Sequence, residues 1–173
     1  MKNFITVYDF AEKSLKIPLM LSPLIFVVIG IVTYYYSKNY SDPKKYTALG
    51  FNERKYKMIF SIMYASFATI LATITISSQL HQYFMAKSFY ELKKYKTVEG
   101  KVQNFHPMPA GGHDTERFDV NNIKFEYSDY NESDYGYNKS LVKGGLIKSN
   151  AFVKISYFNN GNKNVILKLQ IEE

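Results

Sequence analysis

Residues 106–118 read HPMPAGGHDTERF and gather most of the reactive side chains that lie outside the apolar segments. His106 and His113, with Asp114 and Glu116 beside them, offer the nitrogen and oxygen donors that bind divalent metals. Arg117 adds a cation suited to a carboxylate or a phosphate. A metal-dependent hydrolase built here would use His106, His113 and Glu116 as ligands. Against that stand Pro107, Pro109, Gly111 and Gly112, which form turns, whereas metal ligands must be held on fixed elements. Nucleophilic catalysis needs a Ser or Thr with a base and an orienting acid, and no nucleophile elbow or comparable motif accompanies these histidines. The stretch therefore reads as a projecting loop that makes contacts, with no cofactor expected and a noncatalytic role favoured over an enzymatic one.

Downstream, SDYNESDYGYN places Tyr130, Tyr135 and Tyr137 in polar surroundings. Tyrosine supplies a large contact area with one polar tip, so all three are expected at a ligand or partner surface together with His106, His113, Asp114 and Arg117. Asp129, Glu132 and Asp134 are spaced like oxygen ligands, but the twelve-residue calcium-loop pattern is absent. Gly144-Gly145 reads as a turn, because no helix follows whose N-terminus would receive a phosphate.

The elements that position these residues begin with charge. The formal net charge is +7, yet residues 101–173 carry nine Lys or Arg and nine Asp or Glu, while residues 1–100 carry thirteen against six. A nucleic-acid module needs its basic excess on the folded domain, so no nucleic-acid polymer is expected as a partner. The chain has no Cys, which removes disulfides, thiolate chemistry and Cys-based zinc sites.

Two long uncharged runs carry the basic flanks. IPLMLSPLIFVVIGIVTYYYS fills the interval from Lys16 to Lys38, and a second run extends from Met58 to Ala86. An apolar helix of about 20 residues crosses a bilayer core, and a soluble helix seldom lacks charge on every face. Pro18 suits the start of the first helix, Pro23 is expected to kink it, and Tyr34, Tyr35 and Tyr36 form an interfacial belt. In the second helix Ser61, Ala65, Ala68 and Ala72 recur at three- and four-residue steps, a small-residue stripe expected to pack against the first span. Phe4, Tyr8, Ala11 and Leu15 recur at helical spacing, so residues 1–16 are expected to form an amphipathic interfacial segment.

Two spans put both termini on one side. Six Lys or Arg in the inter-span loop face seven on the opposite side, and the juxtamembrane ELKKYK suits an anionic leaflet, so the expected side is the cytoplasm. From Thr97 the periodicity turns alternating. Asn121-Asn122 lies between apolar runs as a two-residue hairpin turn, and NNGN separates a strand around Val153–Tyr157 from one around Val165–Ile171. The expected fold class is membrane α+β: a transmembrane hairpin over residues 17–96, then a small antiparallel β-barrel or sandwich over residues 97–173.

The segments VEGKVQNF, ERFDVNNIKFEYSDY, GYNKSLVKGGLIK and VKISYFNNGNKNVILKLQI resemble a group of uncharacterised small bacterial membrane proteins with two helices before a compact β-domain. The resemblance implies a two-span protein of the bacterial inner membrane and supplies no activity. In layout alone the chain is similar to the two-helix β-barrel effectors of cyclic-oligonucleotide antiphage systems. That similarity implies a cyclic-nucleotide-gated, membrane-disrupting protein, although the single arginine of the domain, Arg117, is sparse for a doubly phosphorylated ligand. The expected function is a noncatalytic, membrane-anchored β-domain that binds a protein or small ligand near the lipid bilayer, with homo-oligomers forming through the transmembrane helices.

Overall fold

The computed structural model describes residues 3–42, 44–48, 50–130 and 135–173. The chain divides into two units, Met1–Leu15 with His81–Glu173, and Lys16–Leu80.

The first unit is built on six antiparallel strands: β1 (Phe4–Asp9), β2 (Lys96–His106), β3 (Glu116–Val120), β4 (Ile123–Tyr127), β5 (Phe152–Asn159) and β6 (Asn164–Glu172). They lie in the order β1-β6-β5-β2-β3-β4. Asn121 and Asn122 both have positive φ, 47° and 64°, which a two-residue turn between β3 and β4 requires and which Asn tolerates. Alternation then sorts the side chains. Phe118, Val120, Phe125, Val153, Ile155, Leu167 and Leu169 are buried on one face, while Arg117, Lys124 and Glu126 point outward.

The N-terminal segment is a strand and not the expected amphipathic helix. Phe4 to Asp9 pair with Glu172 to Lys168, with the register shifting between Thr6 and Tyr8. Ile5, Thr6 and Val7 are β-branched and favour this conformation. Asp9 then accepts from Ala11 N at 3.0 Å and closes a 3-10 turn.

The sheet also corrects the barrel and the sandwich. It is single and does not close on itself, since its edge strands β1 and β4 share no ladder among the described residues. The seam between β4 and β6 is crossed instead by a side chain, Asn164 Nδ2 donating to Lys124 O at 2.8 Å. Beside it Tyr137 N donates to Ile166 O at 3.0 Å, so the Tyr135–Tyr137 segment uses a carbonyl that a closing β4 would need.

The second unit contains α1 (Ile17–Leu21) and α2 (Leu24–Tyr40), interrupted at Ser22-Pro23, and most of α3 (Glu53–Glu91). Gly30 of α2 lies so near Ala65 of α3 that a Cβ added to it would stand 2.8 Å from the alanine methyl. Ser37 of α2 and Ser61, Ala68 and Ala72 of α3 are buried. Segments Ile17–Tyr40 and Glu53–Glu91 are each long and apolar enough to cross a membrane.

Candidate functional site

The loop from Pro107 to Thr115 is anchored rather than loose. Gly112 and His113 both take left-handed backbone conformations, φ 74° and 70°. A Cβ on Gly112 would stand 2.9 Å from the exposed Tyr130 ring, and the left-handed backbone there favours glycine. Met108 is buried beneath it.

This geometry brings three of the sequence-predicted residues together. Asp114 Oδ2 lies 2.8 Å from His106 Nε2 and accepts from the Arg117 guanidinium at 3.2 Å. The Thr115 backbone N–H, donating to Asp114 Oδ1 at 2.7 Å, and then the His106 ring hold this carboxyl below the usual aspartate range. Asp114 thus orients an imidazole and a guanidinium at once.

The other predicted residues do not join them. Glu116, expected as a metal ligand, is fully buried on the opposite face of β3, where it accepts from Tyr127 and from the Leu141 N–H. His113 is exposed at its left-handed position. His106, His113 and Glu116 therefore do not converge, and among the described residues no group of three His, Cys, Asp or Glu side chains is placed to hold a metal ion. Tyr130 is exposed, but Tyr135 and Tyr137 belong to the core and not to a contact surface. Burial pushes the Tyr137 phenol up to about 12. Asp129 accepts from Ser140 Oγ at 2.6 Å, while Glu132 and Asp134 lie outside the described residues.

His106 and Arg117 instead line a groove of about 550 Å³ on the outward face of the β3–β4 hairpin. The hairpin register sets Arg117 opposite Glu126 and Asp119 opposite Lys124. These charges are held apart by other partners. Asn104, at positive φ where β2 shifts register, donates to Asp119 at 2.7 Å, and Thr115 Oγ1 donates to Glu126 at 2.9 Å. The far wall is the β5–β6 turn, in which Asn160 Oδ1 accepts from Asn162 N and Lys163 N and Asn159 Oδ1 accepts from Gly161 N. The result is a walled groove whose rim sets opposite charges in alternation, with Phe118 and Phe125 also contributing to its lining.

Sequence reasoning found His106, Asp114 and Arg117 but missed Asn104, Asp119, Lys124, Glu126 and the asparagine turn. The signal for three of these, Asp119, Lys124 and Glu126, is the outward-facing alternation along FDVNNIKFEY, whose turn fixes which charges stand across from one another. Chemically the groove pairs an oriented histidine with acids and cations, and among the described residues no Ser, Thr or Cys lines it to act as a nucleophile. Comparisons with protein-family models, with curated proteins and with solved structures found no match.

Proposed function

We propose that this chain is a two-span membrane protein whose β-domain is a noncatalytic binding module, with the groove on the β3–β4 hairpin as its recognition surface. The observation that carries the membrane part is the outward direction of the apolar side chains. Phe26 is 53% exposed, Val28 56%, Phe67 62% and Ile74 61%. Helices that turn such residues outward while burying Gly30, Ser37 and Ser61 are sorted for a hydrocarbon solvent, where association depends on close packing of small residues. Threonines 33, 69 and 73 each donate to the carbonyl four residues back, which satisfies their hydroxyls within the helix.

The reading that both ends lie on one side has support that no count of lysines gives. Because β1 and β6 share a ladder, the segments on either side of the helical unit fold into one sheet, so the intervening helices cross a bilayer an even number of times. We place that sheet in the cytoplasm of a bacterial cell.

The groove suits a ligand or protein segment carrying both donors and acceptors. Asp119 and Glu126 repel a doubly phosphorylated ligand, so a cyclic dinucleotide is disfavoured in it. Fractionation of cells expressing the full chain, followed by an alkaline wash, tests the membrane part: the protein stays with the membranes, and recovery in the soluble fraction refutes the proposal. A reporter fused to the C-terminus reads the side.

A further inference from the structure

A second cleft, on the other side of the β5–β6 turn, has a different chemistry. Its floor is aromatic and aliphatic: Phe89 stacks on Phe158 with centroids 4.4 Å apart and planes at 16°, and Tyr157 and Ile123 continue the surface. Its rim is basic, with Lys94 and Lys96, and among the described residues no carboxylate lines it. The volume is about 490 Å³, within the range of small-molecule sites. Asn159 and Asn164 supply amides at one end.

The lysines are held by backbone geometry. α3 ends in a Schellman turn: Lys93 is left-handed with φ 53°, its N–H donates to Tyr90 O at 3.2 Å, and the Lys94 N–H donates to Phe89 O at 3.0 Å. Two residues on, Lys96 pairs with Tyr157 in the first register position of β2 with β5. Both lysines are exposed and neither has a carboxylate partner among the described residues. Two cations over an apolar floor thus carry positive charge that no described carboxylate pairs with.

We infer that this cleft binds a phosphate ester whose body is an apolar ring or chain. The phosphate rests between Lys94 and Lys96 and the body lies on Phe158, Tyr157 and Ile123. Lysine acts as a point charge and suits a tetrahedral oxyanion, whereas a planar carboxylate is better matched by the guanidinium fork that this cleft lacks. The inference rests on the first unit alone, which includes the end of α3, and stands whether or not the helices span a bilayer. Two sources offer this chemistry, a phospholipid headgroup and a soluble phosphomonoester.

The test uses the full chain in a nonionic detergent. Calorimetric titration compares phenyl phosphate with inorganic phosphate, and native mass spectrometry compares retained phosphatidylglycerol with phosphatidylcholine. Binding of phenyl phosphate over inorganic phosphate assigns a soluble ester; selective retention of phosphatidylglycerol assigns the lipid. In either case the Lys94→Gln/Lys96→Gln variant weakens binding by about thirtyfold, roughly fivefold for each lysine at an anionic group. The Lys143→Gln/Lys148→Gln variant, on the same domain and away from the cleft, leaves binding unchanged. The inference is overturned if neither probe binds, if inorganic phosphate binds as well as phenyl phosphate while neither lipid is preferred, or if the two double variants behave alike.

Discussion

Replacing Glu116 tests how the polar interior of the β-domain is built. Its carboxylate is fully buried between two donors, the Tyr127 hydroxyl at 2.5 Å and the Leu141 N–H at 2.8 Å. Burial first, and then the bond to Glu116, hold the Tyr127 phenol well above its usual pKa, so the proton stays on Tyr127 and is donated to the carboxylate. Leu141 opens the 3-10 turn Leu141–Lys143, and Glu116 therefore ties β3 to that turn as well as to β4. Tyr127→Phe leaves one buried carboxylate oxygen without its donor, at about 1–3 kcal/mol. Glu116→Gln keeps the shape, accepts the Leu141 N–H and turns its amide toward a hydroxyl that rotates to receive it, for a cost of about 1 kcal/mol. Glu116→Ala strands both donors and opens a cavity, at about 3–5 kcal/mol. Thermal unfolding of the full chain in mild detergent, followed by far-ultraviolet circular dichroism, should rank alanine as the most damaging and glutamine as the mildest. A Glu116→Ala loss below about 0.5 kcal/mol, the size of an ordinary surface change, would refute the reasoning, as would a glutamine variant weaker than the alanine one.

Two further substitutions probe other joints. Gly30→Ala would raise helix propensity by about 1 kcal/mol in an open helix, but here overpacking against Ala65 costs about 1–3 kcal/mol, so the variant should melt lower; a higher melting temperature would mean that the helices do not approach this closely. Asp9 accepts from Lys168 at 2.8 Å, Tyr90 at 2.7 Å and Ala11 at 3.0 Å. Burial alone would raise its pKa, yet these three donors outweigh it and the folded value lies below the usual one. A depressed folded value means that the clamp contributes stability above the unfolded pKa and loses it as the pH falls through the folded one. Melting temperatures of Asp9→Asn should therefore depend less on pH along the acid limb than those of the unchanged chain, and parallel curves would contradict the clamp.

Much of the architecture was legible because local signals agreed with the global fold. The uncharged runs gave the helices, Asn121-Asn122 gave the β3–β4 hairpin, and alternation gave the inward rows of β3 to β6. The N-terminal strand was hidden by its own irregularity. The register shift between Thr6 and Tyr8 breaks the period of two, and what remained of the spacing mimicked a helix. Tyr135 and Tyr137 were misplaced because their neighbours are polar. The pattern Tyr-Gly-Tyr is nevertheless a period of two, with Gly136 so close to β6 that a Cβ would meet Val165 at 2.6 Å. The metal reading of the 106–118 stretch failed on direction: Glu116 and Arg117 are adjacent in a strand and so face opposite sides. The open seam of the sheet has no local signature, since it depends on which distant carbonyl Tyr137 reaches.

The pairing of β1 with β6 sets an order of events during synthesis. Of the six described strands the earliest in the chain is the partner of the latest, so β6 forms beside β5 with one edge bare until β1 returns to cover it. A bare edge is a template for pairing with another chain, and closing a loop that contains nearly the whole sequence is slow for a free polymer. Helices already seated in a bilayer would shorten that search by fixing the ends of the loop. Deleting residues 4–9 should then leave an unfinished sheet with a sticky margin, whereas deleting residues 164–172 also strips Leu167 and Leu169 from the core.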